Sequence, residues 1–290
     1  MGAGHIAMVV IGAILVIAAI VLPTVIVPSL EKLPAQLDVT SHLAGKGTVL
    51  DPQTFKPVGP LPVAVTRSIS TRSTSGDVVV LNQTVTTTLA GRPLGEPATS
   101  VLAVDRTTNR HVAGFGSDVK RSGQALGMPW HAQKSTYPFW DDTARRTLPA
   151  RFVAERTVSG LPVYEYSITT GQPVVIGQRQ VPGAALGAPG TVSLDVIYSR
   201  EGTLLVDPLT GTPVSATDHS VQALARPGTT QPLVTLADVT VSTTPADRAS
   251  TIDTVSSGHQ MLTLVRMVIP IIAAVLGLAL LALGLRRRRA

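Results

Sequence analysis

Apolar residues follow two regimes along this chain: an unbroken run near each end, and alternation in between. The first run, Ile6 to Val27, is 22 residues without a charge, and the second, Met267 to Leu285, is 19 residues without a charge. A helix rises about 1.5 Å per residue, so each run is long enough to cross a hydrocarbon core of roughly 30 Å. Arg286-Arg287-Arg288-Arg289 follows the second run directly. Such a tail marks the cytoplasmic side of a membrane. Two spans return the amino terminus to that side. Residues 1–5 and 286–290 are therefore expected in the cytoplasm, and 28–266 outside it, at the inner (plasma) membrane. The first run is longer than the apolar stretch of a signal peptide and lacks a preceding Lys or Arg. With Pro23 and Pro28 near its outer end, it predicts an uncleaved anchor.

Between the spans the pattern is that of β structure. Thr and Val are abundant, Gly and Pro recur every ten residues or so, and no long helical period appears. Val79, Leu81, Val85 and Leu89 share one strand face, opposite Val80, Asn82, Thr84, Thr86 and Thr88. Val192, Leu194, Val196 and Tyr198 repeat the pattern against Ser193 and Asp195. One face of such a strand packs while the other meets water or a ligand. Arg200-Glu201-Gly202 predicts a hairpin turn into Thr203–Asp207.

A short motif recurs three times. Asp51, Asp105 and Asp207 are each followed by Thr three residues on (Thr54, Thr108, Thr210) and Val four beyond that (Val58, Val112, Val214). Asp accepts hydrogen bonds from turn amides, and Gly or Asn tolerates positive φ, so the copies predict strand–turn–strand corners. A calcium loop needs several alternating oxygen ligands, which one Asp per copy does not supply. Residues 181–190 read as a flexible connection. Thr244-Pro245-Ala246-Asp247 reads as a helix start, with Thr as cap, Pro first, and Asp favouring the dipole. That helix, 244–266, is expected to run into the second span unless Ser256-Ser257-Gly258 breaks it. The fold expected is mainly β: a large antiparallel domain over 28–243, in two related curved-sheet lobes, 28–130 and 131–243, between terminal transmembrane helices 6–27 and 267–285.

Charge changes the picture in one respect. The chain carries a formal +6, of which Arg266 and the four tail arginines supply five. The domain between the spans is thus close to neutral, and no nucleic-acid partner is expected. The absence of cysteine excludes disulfides, thiolate metal sites, iron–sulfur clusters and a cysteine nucleophile.

Candidate chemistry is sparse. No nucleophile elbow, phosphate-binding loop or dinucleotide fingerprint appears, and the six histidines lie singly. No cofactor and no metal are expected. Asp141-Asp142 is the only adjacent acidic pair, with Glu155 and Glu165 downstream. Paired carboxylates are the equipment of a glycosidase, but neighbouring Asp residues in a turn more often cap amides. Half of the ten aromatic residues lie between Trp130 and Phe152. Trp130, Tyr137, Phe139 and Trp140 read either as a packed corner or as a rim gripping an acyl chain or a sugar. Tyr164 and Tyr166, on one strand face, are expected to share whichever role is right. A Thr- and Val-rich curved sheet with an apolar concave face also suits a lipid tail.

The two terminal spans, the arginine tail and three further motifs resemble a family of two-span actinobacterial envelope proteins labelled porin-A-like. The motifs are Val104-Asp105-Arg106-Thr107-Thr108, Tyr137-Pro138-Phe139-Trp140-Asp141 and Val158-Ser159-Gly160-Leu161-Pro162-Val163-Tyr164. The resemblance covers nearly the whole chain. Family members usually carry Gly in the first of these turns where this chain has Asn109, which also tolerates a left-handed conformation. The resemblance implies work on the envelope, through maturation or export of lipomannan and lipoarabinomannan. A transmembrane β-barrel needs apolar lipid faces and aromatic girdles, which ten aromatics and two helical anchors do not suggest.

The reading that results is a non-enzymatic protein that binds or hands on a lipid or lipoglycan at the outer face of the inner membrane. Its expected partners are membrane lipids, a lipid or lipoglycan ligand, and envelope synthesis proteins. A scaffold for envelope synthases without a ligand is the alternative, and a glycosidase or transferase using Asp141 and Glu155 a weaker one.

Overall fold

A computed structural model describes residues 3–286 apart from 184–186 and 188. It divides the chain into two compact units, residues 1–32 with 253–290, and residues 33–252.

The first unit is helical. Helix α1 (Ala3–Val21) passes through a π-turn (Leu22–Ile26) into the short α2 (Val27–Leu30). Helix α3 (Pro245–Thr263), which begins in the other unit, passes through a π-turn (Leu264–Val268) into α4 (Ile269–Arg286). Ser256-Ser257-Gly258 does not break it. Each π-turn stands just before a proline, Pro28 or Pro270, whose missing N–H cannot serve the carbonyl one turn back. The ladder is rebuilt by a wider bond, Val27 N–H to Leu22 O and Ile269 N–H to Leu264 O. The two apolar helices pack through glycine. A Cβ on Gly12 would stand 2.7 Å from Gly277 O, and one on Gly277 would stand 2.8 Å from Gly12 O. Small residues let helix backbones approach where lipid supplies no hydrophobic drive.

The second unit is one curled antiparallel sheet of 13 strands. They are β1 (Asp38–Leu50), β2 (Pro57–Ser75), β3 (Val78–Leu89), β4 (Arg92–Pro93), β5 (Ala98–Asp105), β6 (Arg110–His111), β7 (Tyr137–Asp141), β8 (Arg146–Val158), β9 (Leu161–Thr169), β10 (Val174–Pro182), β11 (Thr191–Val206), β12 (Pro213–Ala225) and β13 (Pro232–Thr243). The order is β6-β5-β3-β2-β1-β13-β12-β11-β9-β8-β7, with β10 on β11 and β4 on β3.

Two expectations are corrected here. The sheet does not separate into two lobes at 130, because the first and last strands pair over Leu43↔Thr243 to Val49↔Ala237 and join both halves. Met128, from the earlier half, is also fully buried among Leu148, Tyr166, Ile168 and Val206 of the later one. Nor do Arg200-Glu201-Gly202 form a turn. They lie in the middle of β11, where Glu201 pairs with both His219 and Thr169, and Gly202 with Asp218 and Ile168.

Two features make the sheet curl. On the face of β1 toward the core, Gly45 and Gly47 remove the side chains that would hold neighbouring strands apart. A Cβ on Gly47 would stand 2.9 Å from Val239 Cγ2 and 3.0 Å from Val63 Cγ2, and one on Gly45 would overlap Thr240 O. Glycine in a strand creates such a crease. The outermost strands then meet through one residue, Gln124, which bridges Arg110 on one side and Phe139 on the other. Its segment is held by His111 N–H to Gly123 O (2.9 Å), Ala125 N–H to Asn109 O (2.9 Å), Gln124 N–H to Pro138 O (2.7 Å) and Trp140 N–H to Gln124 O (3.2 Å). The backbone circuit is thereby closed at this level.

Inside the curl lie two apolar cores. One joins Val79, Leu81, Leu102 and Val104 with Ala125, and the other joins Met128 and Ala132 with Leu148, Ala150, Tyr166, Ile168, Leu204 and Val206. The segment 121–132 supplies residues to both.

Candidate functional site

The recurrent Asp motif builds what its residues imply. Asp51 accepts from the Gln53 and Thr54 amides, Asp105 from those of Thr107 and Thr108, and Asp207 from that of Thr210. Each turn ends on a left-handed residue, Phe55, Asn109 or Gly211. Asn109 thus fills the position as a glycine would, and its buried side chain also donates to Met128 O. A fourth copy escaped the sequence reading: Asp141 accepts from Ala144 N–H at 2.7 Å, and Arg145 is left-handed with φ 52°. Here Ala replaces the Thr, while Leu148 keeps the apolar position that Val58, Val112 and Val214 hold in the other copies.

Asp141 does more than cap. It is 2% exposed and receives Arg200 Nη1 at 2.9 Å and the Tyr198 hydroxyl at 3.2 Å. Arg200 donates from Nε to Asp218 at 2.6 Å. Burial works against the Arg200 charge, but Asp218 and Asp141 outweigh it and hold its pKa above the ordinary value. The Tyr198 phenol is pushed up by burial and then by Asp141, so it stays a donor. Beside this network, Arg121 bridges Asp118 at 2.5 Å and Asp142 at 2.9 Å. Every carboxylate here accepts from a fixed donor, which is the arrangement of a structural ion network. Glu155 is elsewhere, paired with Lys134.

The six aromatic candidates divide. Tyr137, Phe139 and Tyr164 pack against the core that holds fully buried Tyr166. Tyr137 and Tyr166 meet edge to face at 5.9 Å, and Phe152 contacts Tyr164 at 5.3 Å and Tyr166 at 6.0 Å. The Tyr166 hydroxyl donates to Gln133 O, and Gln133 N–H donates to the Tyr137 hydroxyl. Trp140 stands apart, donating from Nε1 to Asp142 at 2.8 Å and meeting His111 edge to face at 6.3 Å. Trp130 lies against His131. An open hollow of about 350 Å³ lies along β7 and β8, lined by Thr136, Tyr137, Pro138, Thr147, Leu148 and Pro149. Arg286 is exposed at the end of α4, and Arg287, Arg288 and Arg289 lie outside the described residues. No cluster of metal-ligating side chains occurs among the described residues.

His111 sits among these charges. Burial, then Arg121, push its imidazole down from 6.5 to about 4. The folded state therefore refuses a proton that the unfolded chain accepts. Its contribution to stability is whole above about pH 6.5 and is lost progressively as pH falls toward about 4. Denaturant midpoints measured at about pH 7 and about pH 4.5 should differ less in His111→Gln than in the parent.

A second feature is apolar and open. On β11, the strand face that carries Arg200 and Tyr198 continues through Val196, Leu194 and Val192. Leu194, Leu224 and Val181 are buried there, and half-buried Val192, Val196, Val234 and Leu236 pack over them. One face of one strand thus changes from an ion network to an apolar strip within a few residues. The alternation over Val192–Tyr198 was legible in the sequence, but its continuation into β12 and β13 was not.

The helices and the sheet define the class: a membrane protein with two apolar helices, packed together, at the ends of a chain whose middle is a curled β domain. The chain belongs to the porin PorA family, whose model matches residues 5–286. It is 26% identical to the porin PorA of Corynebacterium amycolatum, over 77% of this chain and 78% of that protein.

Proposed function

We propose that this protein binds a lipid or lipoglycan at the outer face of the plasma membrane and takes part in building the envelope. The observation that carries the reading is the half-buried strip of Val192, Val196, Val234 and Leu236. Burying apolar surface yields about 0.8 kcal/mol per CH₂, so an acyl segment of a few methylenes lying on this strip gains several kcal/mol. Both termini are cytoplasmic in this reading, by the arginine tail, and the β domain is extracytoplasmic. Arg266, near the other end of that span, does not oppose the assignment, because it is one arginine against the four of the tail. The relative's name describes a porin, but this sheet is poorly suited to be a pore wall. A lipid-facing strand surface is apolar, whereas the outward positions Ser68, Ser70 and Asn82 are polar and exposed.

The test is displacement of a fluorescent fatty acid from the full chain in detergent micelles. The parent should bind. The double variant Val234→Asn, Leu236→Gln should bind at least about tenfold more weakly, about 1.4 kcal/mol, with a near-parental melting temperature. No binding by the parent, or equal binding by the variant, would overturn the carrier reading in favour of a scaffold for envelope synthases.

A further inference from the structure

Arg121 and Arg200, in the interior of the curl, are fully engaged. Each holds two aspartates. Arg67, on β2, differs: Nε donates to Gln83 Oε1 at 2.7 Å, and no carboxylate of the described residues lies within ion-pair distance. Gln83, 6% exposed, is itself fixed by donating from Nε2 to Ser100 Oγ at 3.3 Å. The inner edge of the guanidinium is thus tied down. Both Nη groups are left without a protein acceptor among the described residues, and Arg67 as a whole is only half-buried.

Neither Nη group is a buried atom without a partner, so both are open to solvent and to an anion that reaches them. Burial pushes the Arg67 pKa down; Asp142 opposes this and Arg200 adds to it. Asp142 acts on Arg67 only at a distance, because the two do not form an ion pair. A ligand matched to this planar fork brings two acceptor oxygens, the geometry of a phosphate or a carboxylate.

We propose that Arg67, held by Gln83 and Ser100, is the receptor for a two-oxygen anion, with a phosphate as its preferred ligand. The site goes beyond the lipid reading and does not depend on it, because a soluble anion without a tail fits the same fork. If the anion is a lipid phosphate, its place near Arg200 puts it close to the polar end of the strand face whose other end is the apolar strip.

The experiment is calorimetric titration of the full chain in non-ionic detergent with inorganic phosphate. The parent should bind, and Arg67→Met should bind at least about tenfold more weakly. Gln83→Glu provides a second line that keeps the guanidinium: a built-in carboxylate should raise the melting temperature and weaken phosphate binding by a similar factor. Parental phosphate affinity in either variant, or a lower melting temperature in Gln83→Glu, would overturn the assignment. Repeating the titration in nanodiscs of phosphatidylcholine, with and without phosphatidylglycerol, identifies the source. Competition by the anionic lipid makes a headgroup the ligand, and unchanged binding makes it a free anion.

Discussion

Replacing Gly45 by alanine is expected to unfold the β domain or cost it about 4 kcal/mol or more, the range of severe backbone clashes. The added Cβ would overlap Thr240 O and come within 2.8 Å of Val241 Cα, so its obstacles are backbone atoms of β13. Relief requires β1 and β13 to part, and that pairing is what joins the two halves of the sheet. Gly47→Ala is the control, because its nearest obstacles are the methyl groups of Val239 and Val63, which can shift. An overpacked but yielding site costs about 1–3 kcal/mol. Denaturant melts should show Gly45→Ala far below Gly47→Ala, and equal losses would mean that β1 does not approach β13 as closely as described.

Asp141→Ala is expected to destabilise the domain by about 3 kcal/mol, the lower end of the cost of breaking a buried ion pair, since Asp218 still holds Arg200. Three donors lose their acceptor at once: Arg200 Nη1, the Tyr198 hydroxyl and the Ala144 amide. Asp141→Asn should recover part of the loss, because an amide oxygen still accepts at the corner but carries no charge for Arg200. Asp142→Asn, by contrast, changes a carboxylate that is 55% exposed and should cost little. Thermal unfolding of the three variants checks the order. If Asp142→Asn proved as damaging as Asp141→Ala, the assignment of Asp141 as the central acceptor would be wrong.

What could be read before the structure was what repeats or alternates. The spans, the helix start at Thr244 and three Asp corners are local, because each is specified by residues within a few positions of one another. The fourth corner was hidden by a single exchange, Ala144 where the others have Thr. The closure through Gln124 is one residue long and has no period to detect. The turn expected at Arg200-Glu201-Gly202 shows a different limit. Two charges and a glycine look like a loop when their partners are unknown, yet Asp141 and Asp218, 59 and 18 residues away, make them the middle of a buried strand. The aromatic cluster was visible as a concentration, and the structure shows how most of it packs. Only the register of β11 with β12 and β13 assembles the apolar strip.

The carrier reading meets its most direct test in native mass spectrometry of the full chain, purified from an actinobacterial host and released from detergent. A retained adduct of lipid or lipoglycan mass, lost in the Val234→Asn, Leu236→Gln variant, is the expected result. A bare mass that persists after incubation with envelope lipids would contradict it.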